Sequence, residues 1–197
     1  MTVNNKYTSD QIDKLGNALI YLIDQMGSLP KTSLLKLVYI IEEKSIEKRS
    51  MPFFNLDFEV WQFGPVCQDL YVEFTEEPTI LKSYIKKRNT RNGFVFDKVN
   101  NFNDDEFSDS DILLMDEILN EFSRLNSKEL VEYTHRKNSL WYNTAKENGV
   151  LEILLNEKKP TTDIKINFED LIKNDAVKLD FYNEYKEFLS FVSSLKH

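Results

Sequence analysis

The chain has one cysteine, Cys67, in 197 residues. An intramolecular disulfide is therefore excluded, and so is any multi-cysteine zinc site. Two histidines, His135 and His197, leave little for an imidazole metal site. The five glycines, Gly16, Gly27, Gly64, Gly93 and Gly149, are too scattered for a glycine-rich phosphate cradle. No H-E-x-x-H, G-x-S-x-G or calcium-loop spacing occurs. No metal and no cofactor is expected. Apolar runs are short, such as Ala18–Ile23, far below the roughly 18 residues that span a bilayer. Met1–Ser9 is polar and lacks the apolar core of a signal peptide. A protein of the cytoplasm, with no membrane partner, is the expectation.

Hydrophobic residues make up 41% of the chain and aromatics 13%, which argues against disorder. A chain this long buries about 70% of its unfolded surface and needs no covalent staple. Acids outnumber bases 33 to 25, for a formal charge of −8. That balance argues against a coat for nucleic acid. The charge is unevenly placed. Asp104, Asp105, Glu106, Asp109, Asp111, Asp116, Glu117 and Glu121 fall in one stretch without a base, and account for the whole net charge. Just before it, Lys82, Lys86, Lys87, Arg88, Arg91 and Lys98 face only Asp97. A solvated helix start beside a solvated loop explains both stretches. A polarised surface for a charged partner is the sharper alternative.

The pattern along the chain is mostly helical. Thr8 to Gln11 has the form of a capping box, followed by Ile12, Leu15, Leu19, Leu22, Ile23 and Met26 on one helical face. A second helix is expected from Pro30 or Lys31, with Leu34, Leu35, Val38, Tyr39, Ile41 and Ile46 as its apolar stripe. Leu56, Phe58 and Val60 alternate with Asp57, Glu59 and Trp61, which reads as a half-buried strand over Leu56–Phe63. Gly64-Pro65 breaks it, with Pro65 expected at the start of a short helix carrying Val66, Leu70 and Phe74. Ile80–Lys87 reads as a further helical turn or two. Asn92-Gly93 marks a turn before a strand containing Phe94, Phe96 and Val99, a candidate partner for the Leu56–Phe63 strand. Ser108, Ser127 and Ser139 are expected helix caps. Ile164 and Ile166 suggest a third short strand. Asp175 precedes an amphipathic helix with Leu179, Tyr182, Tyr185, Phe188, Leu189, Val192 and Leu195. The sum is a predominantly helical α+β domain with a small two- or three-stranded sheet. Lys158–Thr162 is the best boundary between a domain at 1–150 and an extension at 151–197, which is expected to pack on that domain.

Few residues offer chemistry. Cys67 and His135 are the conceivable thiol–imidazole pair, but a lone cysteine is usually a small packed hydrophobe. His135 ends a helix, where an imidazolium would favour the dipole and bond the last carbonyls; general-base work is the alternative. Trp61, Phe63, Tyr71 and Trp141 read as core residues, or as anchors for a partner. Tyr84, Phe94 and Phe96 interleave with the basic stretch, so base stacking is conceivable, although a basic hairpin balancing nearby acids is the simpler reading.

Three stretches, in order, resemble one family. They are Lys36-Leu37-Val38-Tyr39; Trp61-Gln62-Phe63-Gly64-Pro65-Val66 with Leu70-Tyr71 and Phe74; and Leu130-Val131-Glu132-Tyr133-Thr134-His135 with Trp141 and Ala145. Together, over Ile12–Gly149, they are similar to the Panacea domain, or SocA-like family, often encoded by prophages and toxin–antitoxin loci. Where the family often has tyrosine, Phe63 stands here. The segment after Gly149 has no match to the family pattern.

The resemblance implies a helical domain with a small sheet, not established as catalytic. It implies an antitoxin that neutralises a cognate toxin by direct binding; some relatives are thought to deliver the toxin to a protease as adaptors. An adaptor would need a second contact surface, and the helix after Asp175 is the candidate. The family motif residues Lys36, Tyr39, Trp61, Gly64, Pro65, Tyr71, Thr134, His135 and Trp141 would serve the fold or the partner. Asp104, Asp105 and Glu106, which helix-start chemistry leaves unexplained, are candidates for meeting a basic toxin surface. An enzyme using His135 or Cys67, and a nucleic-acid partner, are the remaining alternatives.

Overall fold

A computed structural model describes residues 6–156 and 160–195. Lys158 of the expected boundary and His197 lie outside the described residues. Eight α-helices and five short strands occur among them, and the fold is α+β and predominantly helical. The chain forms two compact units, each built from two separated segments. One comprises 1–35 and 69–127, the other 36–68 and 128–197.

In the first unit, α1 (Ser9–Met26) starts on the expected box: Thr8 caps the Gln11 amide and the Gln11 side chain caps Thr8. A three-stranded antiparallel sheet has the order β1 (Leu29–Pro30), β5 (Gly93–Lys98), β4 (Ile85–Thr90). Two expectations change here. Residues 85–90 form a strand rather than a helix, and β5 pairs with β4 and β1 rather than with the strand before Gly64. The reason is local: Arg91-Asn92 closes a tight hairpin, and β4 is a surface strand whose outward residues are all polar, so its alternation is faint. Gly16 lets the Tyr84 ring lie on α1, because a Cβ there would run into the ring. Helix α4 (Asp109–Phe122) carries a second capping box between Ser108 and Asp111, and Lys14 pairs with Asp111 at 3.1 Å. Helix α3 (Gln68–Thr75) lies almost wholly in this unit.

In the second unit, most of α2 (Lys31–Arg49) is buried on every side, not on a stripe. Buried Leu, Val and Ile are joined there by Lys36, Tyr39, Glu42 and Glu43. A two-stranded hairpin follows, β2 (Glu59–Trp61) and β3 (Gly64–Val66), paired Glu59 to Val66, Val60 to Pro65 and Trp61 to Gly64. Pro65 is thus a strand residue, and α3 begins only at Gln68. The expected third strand at 164–166 is reduced to a single antiparallel bridge, Lys165 opposite Glu59 on the other edge of β2, where the Val60 amide donates to Ile164 O at 2.9 Å and the Ile166 amide to Phe58 O at 2.8 Å. Helices α5 (Ser127–His135), α6 (Leu140–Glu147), α7 (Leu151–Leu155) and α8 (Ala176–Leu195) complete the unit. Tyr39, Phe58 and Phe168 form an aromatic nest in its core, with ring centroids 5.2–5.9 Å apart.

Candidate functional site

Eight of the nine motif residues lie in the second unit, and most converge on one short turn. The β2–β3 hairpin turns through Gln62 and Phe63. Its backbone is held on several sides. Trp141 Nε1 donates to Trp61 O at 2.9 Å. The Gln62 amide donates to Pro160 O at 3.0 Å. Lys36 Nζ donates to Pro65 O at 2.8 Å. Trp61 adds its own indole bond to Thr162 O at 3.1 Å.

Gly64 is the pivot. Its φ is +95°, and a Cβ there would meet Thr134 Oγ1 at 2.8 Å and Lys36 Nζ at 3.0 Å. Only glycine tolerates both the backbone angle and the contact. Thr134 in turn fixes the helix junction behind it: Ser139 Oγ donates to Thr134 O at 2.8 Å and caps the Tyr142 amide, starting α6. Trp141 is fully buried, and its ring lies 4.0 Å from His135.

The electrostatics of this framework follow from burial. Lys36 is sealed in protein, and loss of hydration lowers its pKa from 10.5 to about 7. His135 is pushed down to about 4, first by burial and then by the neighbouring Lys36. Its Nε2 is buried without a hydrogen-bond partner. The expected imidazolium at the α5 terminus is therefore replaced by a neutral ring packed on tryptophan. One helical turn from Lys36, Tyr39 donates to Glu43 Oε1 at 2.8 Å, and Arg136 lies 3.9 Å from Glu43 Oε2. Burial raises both the Tyr39 and the Glu43 pKa. Glu42, also buried, accepts the Phe53 and Phe54 amides at 2.9 and 2.7 Å, and burial lifts it to about 7.

These groups hold the backbone of the turn. Cys67 is buried, and the His135 nitrogen a base would use is enclosed and weakly basic. What the framework holds up is Phe63. Its side chain is 61% exposed while every neighbour in β3 is buried. The core reading of Phe63 does not hold; that of Trp141 does, and Trp61 and Tyr71 are half-buried. The strand alternation carried the signal, since Asp57, Glu59, Trp61 and Phe63 share the outward parity.

The remaining candidates lie in the first unit. Tyr71 is on α3, with Lys31 Nζ 4.1 Å above its ring. Asp104, Asp105 and Glu106 are exposed in the loop between β5 and α4. Asn103 bonds both the Asp105 amide and its carboxylate, ordering the loop. Asp105 and Glu106 line a polar cleft of about 360 Å³ with Asp13, Asn17 and Tyr84. In the basic stretch, Arg88 pairs with Asp97 at 2.5 Å and Lys98 with Asp24. Phe96 is buried, Tyr84 bonds Asp13, and Lys87 covers Phe94 at 4.2 Å, so these rings are engaged within the unit. Among the described residues no group of acids, histidine and cysteine could hold a metal ion, and no helix is long and apolar enough to cross a membrane.

The model of one family, antitoxin SocA-like, Panacea domain, matches residues 34–142, just over half of the chain. That span contains all the motif residues and the exposed turn. No curated protein and no solved structure gives a match.

Proposed function

The chain belongs to the antitoxin SocA-like, Panacea domain family, and on that premise we propose that it neutralises a cognate toxin by direct protein–protein binding. The observation that carries this reading is Phe63, a large aromatic held in water on a turn whose backbone is fixed by Lys36, Trp141 and the Pro160 carbonyl. A pre-ordered aromatic loses little freedom on binding and is a typical hot-spot residue. Lys36, Thr134 and Trp141 are thus positioning residues for the turn, and the chain acts as a binding protein rather than an enzyme. Asp104, Asp105 and Glu106 are proposed as an electrostatic contact for a basic toxin surface.

Co-expression with the product of the adjacent gene tests the reading. Growth should be rescued and the two proteins should co-purify. Rescue lost in Phe63→Ala, with the protein still folded and abundant, supports the turn as the anchor. Failure to rescue any neighbouring toxic product would sink the antitoxin reading.

Delivery of a client to a protease is a second reading, and one observation favours it: α8 presents a further apolar face, described below. Client half-life decides. Turnover that is unchanged by the protein removes the delivery role.

A further inference from the structure

Helix α8 has two apolar faces. Asp175 starts it, accepting the Lys178 amide at its side chain and the Leu179 amide at its carbonyl. The inward face carries buried Tyr182, with Lys178 Nζ donating to Glu47 O at 2.9 Å and Lys186 Nζ to Asn55 Oδ1 at 2.6 Å. Those bonds fix the rotation of the helix on its unit. Phe188, expected inside by its spacing, lies instead on the opposite face. There Val177, Phe181, Phe188 and Phe191 are 80%, 47%, 57% and 63% exposed. They follow i, i+4, i+11 and i+14 spacing, one continuous stripe about 21 Å long.

The charges beside the stripe have one sign. Glu184 occupies the i+7 position in its middle, and Asp180 and Glu187 flank it on one side; all three are exposed. None has an ion-pair partner among the described residues. The lysines of the helix within reach, Lys178 and Lys186, are turned inward by their bonds to Glu47 and Asn55.

We propose that this outer face of α8 docks a basic amphipathic helix of a partner protein. The partner's apolar side would cover the three phenylalanines, and its lysines or arginines would meet Asp180, Glu184 and Glu187. Charge decides against the other occupants. Antiparallel pairing with a second α8 about its middle would press Glu184 against its own copy in an apolar interface, with no base to offset it. An anionic membrane surface would be repelled by the same three acids. The inference is independent of the Phe63 turn and of the toxin's identity.

The test titrates the full chain against two labelled 18-residue helical peptides, one of leucine and lysine and one of leucine and glutamate, by fluorescence anisotropy. A lysine–glycine peptide of equal charge reports non-specific attraction. The basic amphipathic peptide should bind at least tenfold more tightly than either of the others. Phe181→Gln, Phe188→Gln and Phe191→Gln together should weaken it at least tenfold, with an unchanged circular-dichroism spectrum and melting temperature. Asp180→Lys, Glu184→Lys and Glu187→Lys together should reverse the preference to the acidic peptide. Basic-peptide binding that survives both triple variants would overturn the proposal. So would a dimer that becomes monomeric with the phenylalanine substitutions, or vesicle binding (phosphatidylcholine with phosphatidylglycerol) that those substitutions abolish.

Discussion

A lysine enclosed in protein keeps its proton only by giving up hydration, and Lys36 therefore ties stability to pH. Its pKa falls from 10.5 to about 7 on folding. Between those values the unfolded chain holds a proton that the folded chain lacks, so this group's contribution rises as pH rises from about 7. Urea unfolding at pH 7, 8 and 9 should show stability climbing on the order of 1 kcal/mol per pH unit. Lys36→Met should flatten that climb. His135 works lower: its folded pKa of about 4 sits below the ordinary 6.5. Its contribution is present above 6.5 and lost as pH falls toward 4, and its ring resonances should stay at neutral positions down to about pH 5. Gly64→Ala should destabilise by about 2–4 kcal/mol, read by chemical unfolding, because both the +95° φ and the Thr134 contact oppose a Cβ. These residues were visible in the sequence as a family pattern. Their roles were not, because Lys36, Gly64, Thr134 and His135 lie far apart in the chain and meet only in the fold. No spacing rule states that a histidine at a helix end will be buried, neutral and packed on Trp141.

At the scale of elements, the hairpin of β2 and β3 concentrates the proposed function. Phe63→Ala removes a side chain that already faces water, so folding stability should change by less than about 0.5 kcal/mol. Affinity for the toxin should fall by about 2 kcal/mol or more, roughly thirtyfold, in a calorimetric titration. A drop in stability with unchanged affinity would reassign Phe63 to the fold. Elements with local chemistry were legible. The Thr8 capping box and the Ser108 and Ser139 caps form as their sequences dictate, whereas Ser127, expected as a cap, is the first residue of α5 itself. Elements defined by long-range pairing were not. Pro65 reads as a helix start, yet Val60 lies opposite it in the ladder, and the strand at 85–90 is hidden by a run of exposed cations. The outward stripe of α8 was hidden differently: apolar residues on both faces blur a single amphipathic pattern.

Over the whole molecule, the two compact units each draw on segments separated by dozens of residues. Scans for linkers or composition shifts see only contiguous boundaries, so this division has no signature in the chain. The acidic stretch does have one, and the structure divides its labour. Asp111 caps α4 and pairs with Lys14, and Asp116 bonds Tyr21 at 2.5 Å. Asp104, Asp105 and Glu106 stay in water. Reversing these three to lysine should slow association with a basic toxin several-fold at low salt, with the difference shrinking at high salt, as stopped-flow kinetics would show. An association rate that ignores both the reversal and the salt would return them to an ordinary solvated loop.

The most direct measurement is an isothermal titration of the purified chain with the protein encoded by its neighbouring gene, repeated with Phe63→Ala. The account predicts a defined complex whose affinity drops at least thirtyfold in the variant, in step with lost growth rescue. Growth rescue by a chain that shows no binding to that protein would contradict it.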